Sequence, residues 1–270
     1  MRKLRLFGAL ALAIILALGV SGCMKTPKQR DAENQALILA YLEETYGMSF
    51  TVTGYVAGRQ MQNGVTLNIA LIKTNDEPEL EFYCVQNVSP EGIHYGDRFL
   101  EAIVSDKMAV EFSGSFEKLE GSPTIGTIFR TDAFESGFSP EQLRQKSLDD
   151  VLTEIRCFGL YIKISVEGDV DYFSANKGII YDIYSKMKAY DFEYLSLEIY
   201  VNDGAESFKS YVRNPIWHSN KYGTKDLEQL KQNAYGYLEI QDNASVTDVV
   251  TDEDSILQFV KTPTKGEQNE

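Results

Sequence analysis

His94 and His218 are the only imidazoles in the chain, and they lie in separate halves with no cysteine or carboxylate cluster at zinc-ligand spacing beside either. No metal site is expected. Two S-x-x-K segments, Ser115-Phe116-Glu117-Lys118 and Ser185-Lys186-Met187-Lys188, carry the nucleophile-and-base spacing of penicillin-binding enzymes. The companion S-D-N and K-T-G elements are missing, and the second copy sits inside an amphipathic helical pattern. A motif this short arises by chance in a chain of this length. No G-x-S-x-G elbow, phosphate-binding glycine loop, H-E-x-x-H or dinucleotide fingerprint occurs, so no catalytic residue is assigned and no cofactor is called for.

Carboxylates are abundant enough to suggest two further chemistries. Glu167, Asp169 and Asp171 form one acid cluster, and Asp248, Asp252, Glu253 and Asp254 another. Neither follows the twelve-residue calcium loop, with its glycine at six and glutamate at twelve. The first reads as a turn between strand and helix. The second reads as a solvated stretch leading to Ile256, Leu257 and Phe259. Paired acids for glycoside hydrolysis are set by tertiary geometry, so a hydrolase using carboxylates stays open as an alternative. The candidate binding residues are Tyr211, Trp217, His218 and Tyr222, which with Pro215 and Asn220 make one aromatic and polar loop. Aromatic faces there could stack on sugars or grip a partner. The opposing expectation, favoured here, is that Trp217 plugs a core with most of its ring shielded, His218 and Asn220 lying outside.

The N-terminus joins Arg2, Lys3 and Arg5 to an apolar stretch from Leu6 to Val20, followed by Ser21 and Gly22. This is the layout of an export signal, and its apolar part is shorter than the roughly 20 residues a bilayer-spanning helix needs. Val20-Ser21-Gly22-Cys23 resembles the lipobox of bacterial lipoproteins. That resemblance implies acylation, as with palmitate, at Cys23, cleavage just before it, and an extracytoplasmic, lipid-anchored location, at the cell surface if the cell is Gram-positive. Two acyl chains anchor stably where one is marginal. Cys84 and Cys157 then remain, in apolar settings, and are expected to be buried free thiols.

Loss of residues 1–22 would remove Arg2, Lys3 and Arg5 and move the net charge from −14 to −17. Lys25, Lys28 and Arg30 sit directly after the lipid, where basic residues can rest on anionic headgroups at about 1 kcal/mol each. The acidic body should stand off the membrane. Nucleic acid is excluded as a partner because no basic stripe occurs.

The elements that would position these residues fall in two groups. Residues 24–30 read as a polar tether, and 31–46 as a helix with Leu37, Ile38, Tyr41, Leu42 and Tyr46 on one side and Gly47 at its end. Period-two alternation then marks strands through Phe50 and Val52, through Val65, Leu67, Ile69 and Leu71, and through Leu80, Phe82 and Cys84, the members named being the dry side. A second helix begins near Asp97. Downstream come a short strand near 127–130 and a helix over 148–155 capped by Ser147. A strand with Ile162, Ile164 and Val166 inward follows, then a helix through Ile179, Ile180, Ile183, Tyr184 and Met187. A strand with Leu195, Leu197, Ile199 and Val201 inward completes a unit that could pair in parallel. Asn202-Asp203-Gly204 predicts a hairpin returning Phe208 to Val212 as a strand, and Thr224 caps a last helix over Leu227 and Leu230.

The fold class is therefore α+β, with two small domains: a helix packed on an antiparallel sheet, then a mixed α/β sheet domain. The expected divisions are signal peptide 1–22, lipidated tether 23–30, first domain 31–120, linker 121–138, second domain 139–260 and a disordered tail 261–270. Residues 31–87 resemble PepSY-type and cystatin-like modules. Tyr41-Leu42-Glu43-Glu44-Thr45-Tyr46-Gly47, with Phe50 and Val52 behind it, is similar to openings of uncharacterised lipoproteins of Gram-positive bacteria. Neither resemblance brings functional residues. The functional expectation is a membrane-tethered binding or interaction module of the cell envelope, with an envelope polymer or protein as partner. An envelope hydrolase and a purely structural envelope module are the alternatives. Oligomeric state is not legible.

Overall fold

Thr26 opens the first helix, α1 (Pro27–Tyr46), through a capping box: its hydroxyl accepts from the Gln29 backbone N–H, and the Gln29 side chain accepts from the Thr26 N–H. Pro27, in the first turn, has a backbone preset for the helix, and Gly47, at φ 69°, ends it in the left-handed conformation. The expected tether over 23–30 thus gives way to helix from residue 27. The computed structural model describes residues 25–60, 64–131, 137–155, 158–190, 192–215, 217–218, 225–243 and 250–263. Cys23, Cys157, Asn220, Tyr222 and Thr224, and with them the signal segment, lie outside the described residues, as does most of the expected tail.

The protein is α+β, with two sheets in two compact units, Met1–Asp97 and Arg98–Glu270. In the first unit α1 packs on an antiparallel meander of β1 (Phe50–Gln60), β2 (Thr66–Thr74), β3 (Glu81–Ser89) and β4 (Gly92–Asp97). The fourth strand was not expected. On the α1 side, Phe50 meets both Tyr46 and Phe82 edge to face, and Tyr41 stacks on Tyr95 at 4.4 Å. Tyr41 and Tyr46 both donate to the Asp97 carboxylate, at 2.8 and 2.7 Å. A buried polar ladder crosses the same face, with the Gly58 N–H donating to Asn68, Asn68 to Gln86 and Gln86 to the Tyr95 hydroxyl.

Registry pairs Ala70 with Cys84 and Ile72 with Phe82, so β2 turns Asn68, Ala70 and Ile72 to the α1 side. The expected inward set, Leu67, Ile69 and Leu71, faces the other way. The run Ile69-Ala70-Leu71-Ile72 is apolar at every position and offers no alternation from which to choose a face. Cys84 is a buried free thiol, and burial followed by the nearby Asp97 charge pushes its pKa well up.

The second unit contains α2 (Phe99–Phe116), β5 (Thr124–Thr131), α3 (Pro140–Gln145), α4 (Leu148–Glu154), β6 (Phe158–Glu167), α5 (Tyr172–Lys188), β7 (Tyr194–Asn202), α6 (Glu206–Arg213), α7 (Lys225–Asn233), β8 (Gly236–Asn243), a 3-10 turn (Ser255–Phe259) and β9 (Val260–Lys261). Its sheet has the order β5-β6-β7-β8-β9, in which β6 and β7 are parallel and the other neighbours antiparallel. Helix α5 is the crossover between the parallel pair, as the strand–helix–strand pattern predicts.

The expected boundary at 121–138 moves to Asp97/Arg98 because α2 belongs with β5. Phe129 donates its backbone N–H to Ser105 Oγ at 2.9 Å, and Thr131 donates its own to Glu101 Oε1 at 3.2 Å. Four helical residues rise about 6 Å and two strand residues about 6.7 Å, so residues four apart on α2 match donors two apart on the strand edge. The expected hairpin strand at 208–212 is helix α6 instead, and β8 is the strand that returns antiparallel to β7. Phe208, Tyr211 and Val212 recur at helical spacing and are all buried, which the hairpin alternation had obscured.

Candidate functional site

Lys163 and Glu198 sit opposite each other on the parallel strands β6 and β7. Strand alternation gives Leu160, Ile162, Ile164 and Val166, with Leu195, Leu197, Ile199 and Val201, to one face, all buried. The other face carries Lys163, Ser165, Ser196, Glu198, Tyr200 and Asn202, and it is buried as well, with Lys163 6% and Glu198 9% exposed. Helices α6 and α7 provide that cover: Phe208, Tyr211 and Val212 from α6 and Leu230 from α7 cluster with Tyr200. Gly126 on β5 permits the close approach, since a Cβ there would stand 1.9 Å from the Val212 carbonyl oxygen.

The Lys163 ammonium forms an ion pair with Glu198 Oε1 and donates to the Tyr211 hydroxyl at 3.3 Å, lying 5.1 Å from the Tyr211 ring centre. Tyr200 donates to Glu198 Oε2 at 2.7 Å, and Ser196 donates to Oε1 at 3.4 Å. Burial, and then the Glu198 charge, push the phenols of Tyr200 and Tyr211 far above their ordinary range, so Tyr200 stays protonated and donating. Asn202 extends the row by donating to Ser165 Oγ at 2.8 Å, while its own Oδ1 accepts from the Gly204 N–H at 2.8 Å.

Glu239 on β8 stands directly opposite Glu198. Like charges across a ladder repel. Each carboxylate has its own cations: Lys163 for Glu198, and Lys231 and Lys261 for Glu239, those two also flanking the Tyr237 ring. Burial raises the Glu239 pKa, but the two lysines outweigh it and leave the carboxyl below its ordinary range. The face therefore carries a row of alternating partners in which both acids are already engaged. Such an arrangement fixes α6 and α7 on the sheet; neither acid has a free oxygen turned to an open cleft among the described residues.

Of the sequence candidates, Tyr211 and His218 meet edge to face, ring centres 5.7 Å apart. Trp217 is 6% exposed, in keeping with the shielded ring expected of it. His218, expected outside, is 2% exposed, because its backbone N–H bonds to Asn214 O and continues a helical turn that carries the ring inward. Tyr222 lies outside the described residues. Lys163, Glu198 and Glu239 were not singled out from sequence. Each occupies the middle of a strand, and on β6 and β7 the polar alternation read as a wet face. The available signal was the same central offset of one charge on each strand, visible only once β8 is recognised as a strand.

Among the described residues no group of three or more histidine, cysteine or acidic side chains is placed to hold a metal ion. No described helix is long and apolar enough to cross a membrane.

No family model matches the chain, and no curated protein matches it. The fold is similar to the crystal structure of a DUF5037 family protein from Ruminococcus gnavus ATCC 29149, with a TM-score of 0.52 and 14% identity over 83% of this chain and 97% of that one. At that identity the likeness shows the fold alone.

Proposed function

We propose that the chain is a lipid-anchored extracytoplasmic protein whose folded units act as a binding or interaction module of the cell envelope. The observation that carries this reading is Val20-Ser21-Gly22-Cys23 placed directly after a short apolar segment with basic residues before it. The start of α1 at Pro27 supports it, since the folded part then begins four residues beyond Cys23, close to where an anchor would hold it. Glu198 and Glu239, opposed across β7 and β8, are each held in ion pairs and so do not supply a free carboxylate pair for hydrolysis. Mass spectrometry of the mature N-terminus tests the anchor: a diacylated Cys23 is expected, and an unmodified cysteine or cleavage elsewhere would sink the reading. Co-sedimentation of the chain with isolated cell-wall polymer, beside cross-linking to envelope proteins in cells, tests the module. Retention by neither would remove the binding role.

A further inference from the structure

Lys25, Lys28 and Arg30 are all exposed at the start of α1, and the first turn of that helix holds no acid. Lys25 pairs with Glu33 at 2.8 Å, whereas Lys28 and Arg30 make no ion pair among the described residues. The helix gains nothing from them, because cations at the amino end oppose its dipole. Their occurrence is the more pointed in a chain of 40 acids and 26 bases.

We propose that this basic end of α1 docks on an anionic lipid bilayer with the helix standing on end, which fixes the orientation of the first unit above the membrane; the inference rests on lipidation at Cys23. Two residues lie between Cys23 and the helix cap Thr26, a span of at most about 11 Å, so an inserted lipid holds the cations close to the headgroup region. Lys28 and Arg30 are two residues apart on a helix, about 200° around it, and only a surface lying across the helix end meets both. A helix lying flat would press the exposed Glu43 and Glu44 towards the same anionic surface. Standing on end, it lifts them about 22 Å from the level of Lys28, beyond two Debye lengths at physiological salt. The lipid supplies attachment, and the two free cations supply direction.

The test uses the mature lipidated chain in vesicles of phosphatidylcholine with and without phosphatidylglycerol, each vesicle carrying a headgroup spin label. A fluorophore is placed at Ala32→Cys or at Glu44→Cys in a Cys157→Ala background; Ala32 and Glu44 are exposed, and Cys84 is buried and does not compete. On phosphatidylglycerol the label at 32 should be quenched and the label at 44 should not. Lys28→Glu with Arg30→Glu, or high salt, should return quenching at 32 to the level seen on phosphatidylcholine alone. Equal quenching at both positions, or quenching at 32 that ignores both the lipid charge and the double reversal, would overturn the docking while leaving the anchor intact. Failure of the anchor itself shows separately, as an unacylated N-terminus by mass and a chain that does not float with either vesicle.

Discussion

Lys163 and Glu198 form an ion pair across two parallel strands, with side chains only 8% and 11% exposed. Removing one partner of such a pair strands the other charge in the interior, which costs about 3–5 kcal/mol, whereas replacing both by apolar groups of similar volume is often near neutral. Glu198→Gln and Lys163→Met should each lower the melting temperature sharply, and Lys163→Met with Glu198→Leu should recover most of the loss. Denaturant titration of the three variants checks this. Additive losses in the double variant would mean that the surrounding hydroxyls, and not the charges, hold the face together.

Gly126 provides a second, purely steric test of how α6 is seated. A methyl group there would stand 1.9 Å from the Val212 carbonyl oxygen, and backbone cannot yield as a side-chain tip can. Gly126→Ala should destabilise by at least the 1–3 kcal/mol, roughly, that overpacking usually costs. Gly96→Ala on β4, where a Cβ meets nothing within 4 Å, is the control and should change stability little. Equal melting temperatures for the two would refute the close approach of α6.

The parallel pair and its crossover were legible because β6, α5 and β7 each bury apolar residues at their proper period, whereas β4, β8 and β9, which complete the two sheets, were not expected as strands. The face of β2 was not, since Ile69 to Ile72 has no polar member to mark a side. Nor was α6, whose Asn202-Asp203-Gly204 lead-in is equally good chemistry for a hairpin and for the turn before a helix. Thr26-Pro27-Lys28-Gln29 is a capping box written in the sequence, yet its basic residues drew it into the tether. Glu198 and Glu239 illustrate the deeper limit. What pairs them is the adjacency of β7 and β8, and α7 stands between those strands in sequence.

Two carboxylates should give stability changes of opposite sign with pH. For Glu239, burial pushes the pKa up, but Lys231 and Lys261 bring it below the ordinary range. Its contribution is present above about 4.3, the ordinary glutamate pKa, and is lost as pH falls through the lower folded value. For Glu101, burial pushes the pKa up more than Arg98, Arg130 and the Thr131 N–H draw it down. Its contribution is complete below the ordinary value and is lost as pH rises through the raised folded one. Glu239→Gln should therefore lower stability at neutral pH and flatten the acid limb of the stability curve. Glu101→Gln, which can still accept from Thr131, should leave neutral-pH stability unchanged or higher. Chemical denaturation from pH 3 to pH 8 reads both, and a parallel response of the two variants would contradict the assignment.

Trp217 is the only tryptophan in the chain, so intrinsic emission reports on one place. At 6% exposure its indole should emit towards the blue and be quenched weakly by acrylamide. The neighbouring His218 ring, itself buried and edge-on to Tyr211, ties the same turn to α6, so a change at 217 is transmitted to the cover of the Lys163 and Glu198 pair. Trp217→Ala should cost about 3–5 kcal/mol, the range for emptying a large aromatic site, enough to threaten a domain of ordinary stability. Trp217→Phe, which keeps most of the apolar volume, should lose much less. The discriminating measurement is acrylamide quenching of the intact chain beside the melting temperatures of the two variants. Red, freely quenched emission together with an unchanged melting temperature in Trp217→Ala would place the ring in solvent. Residues 211–222 would then become the first surface to test for a partner.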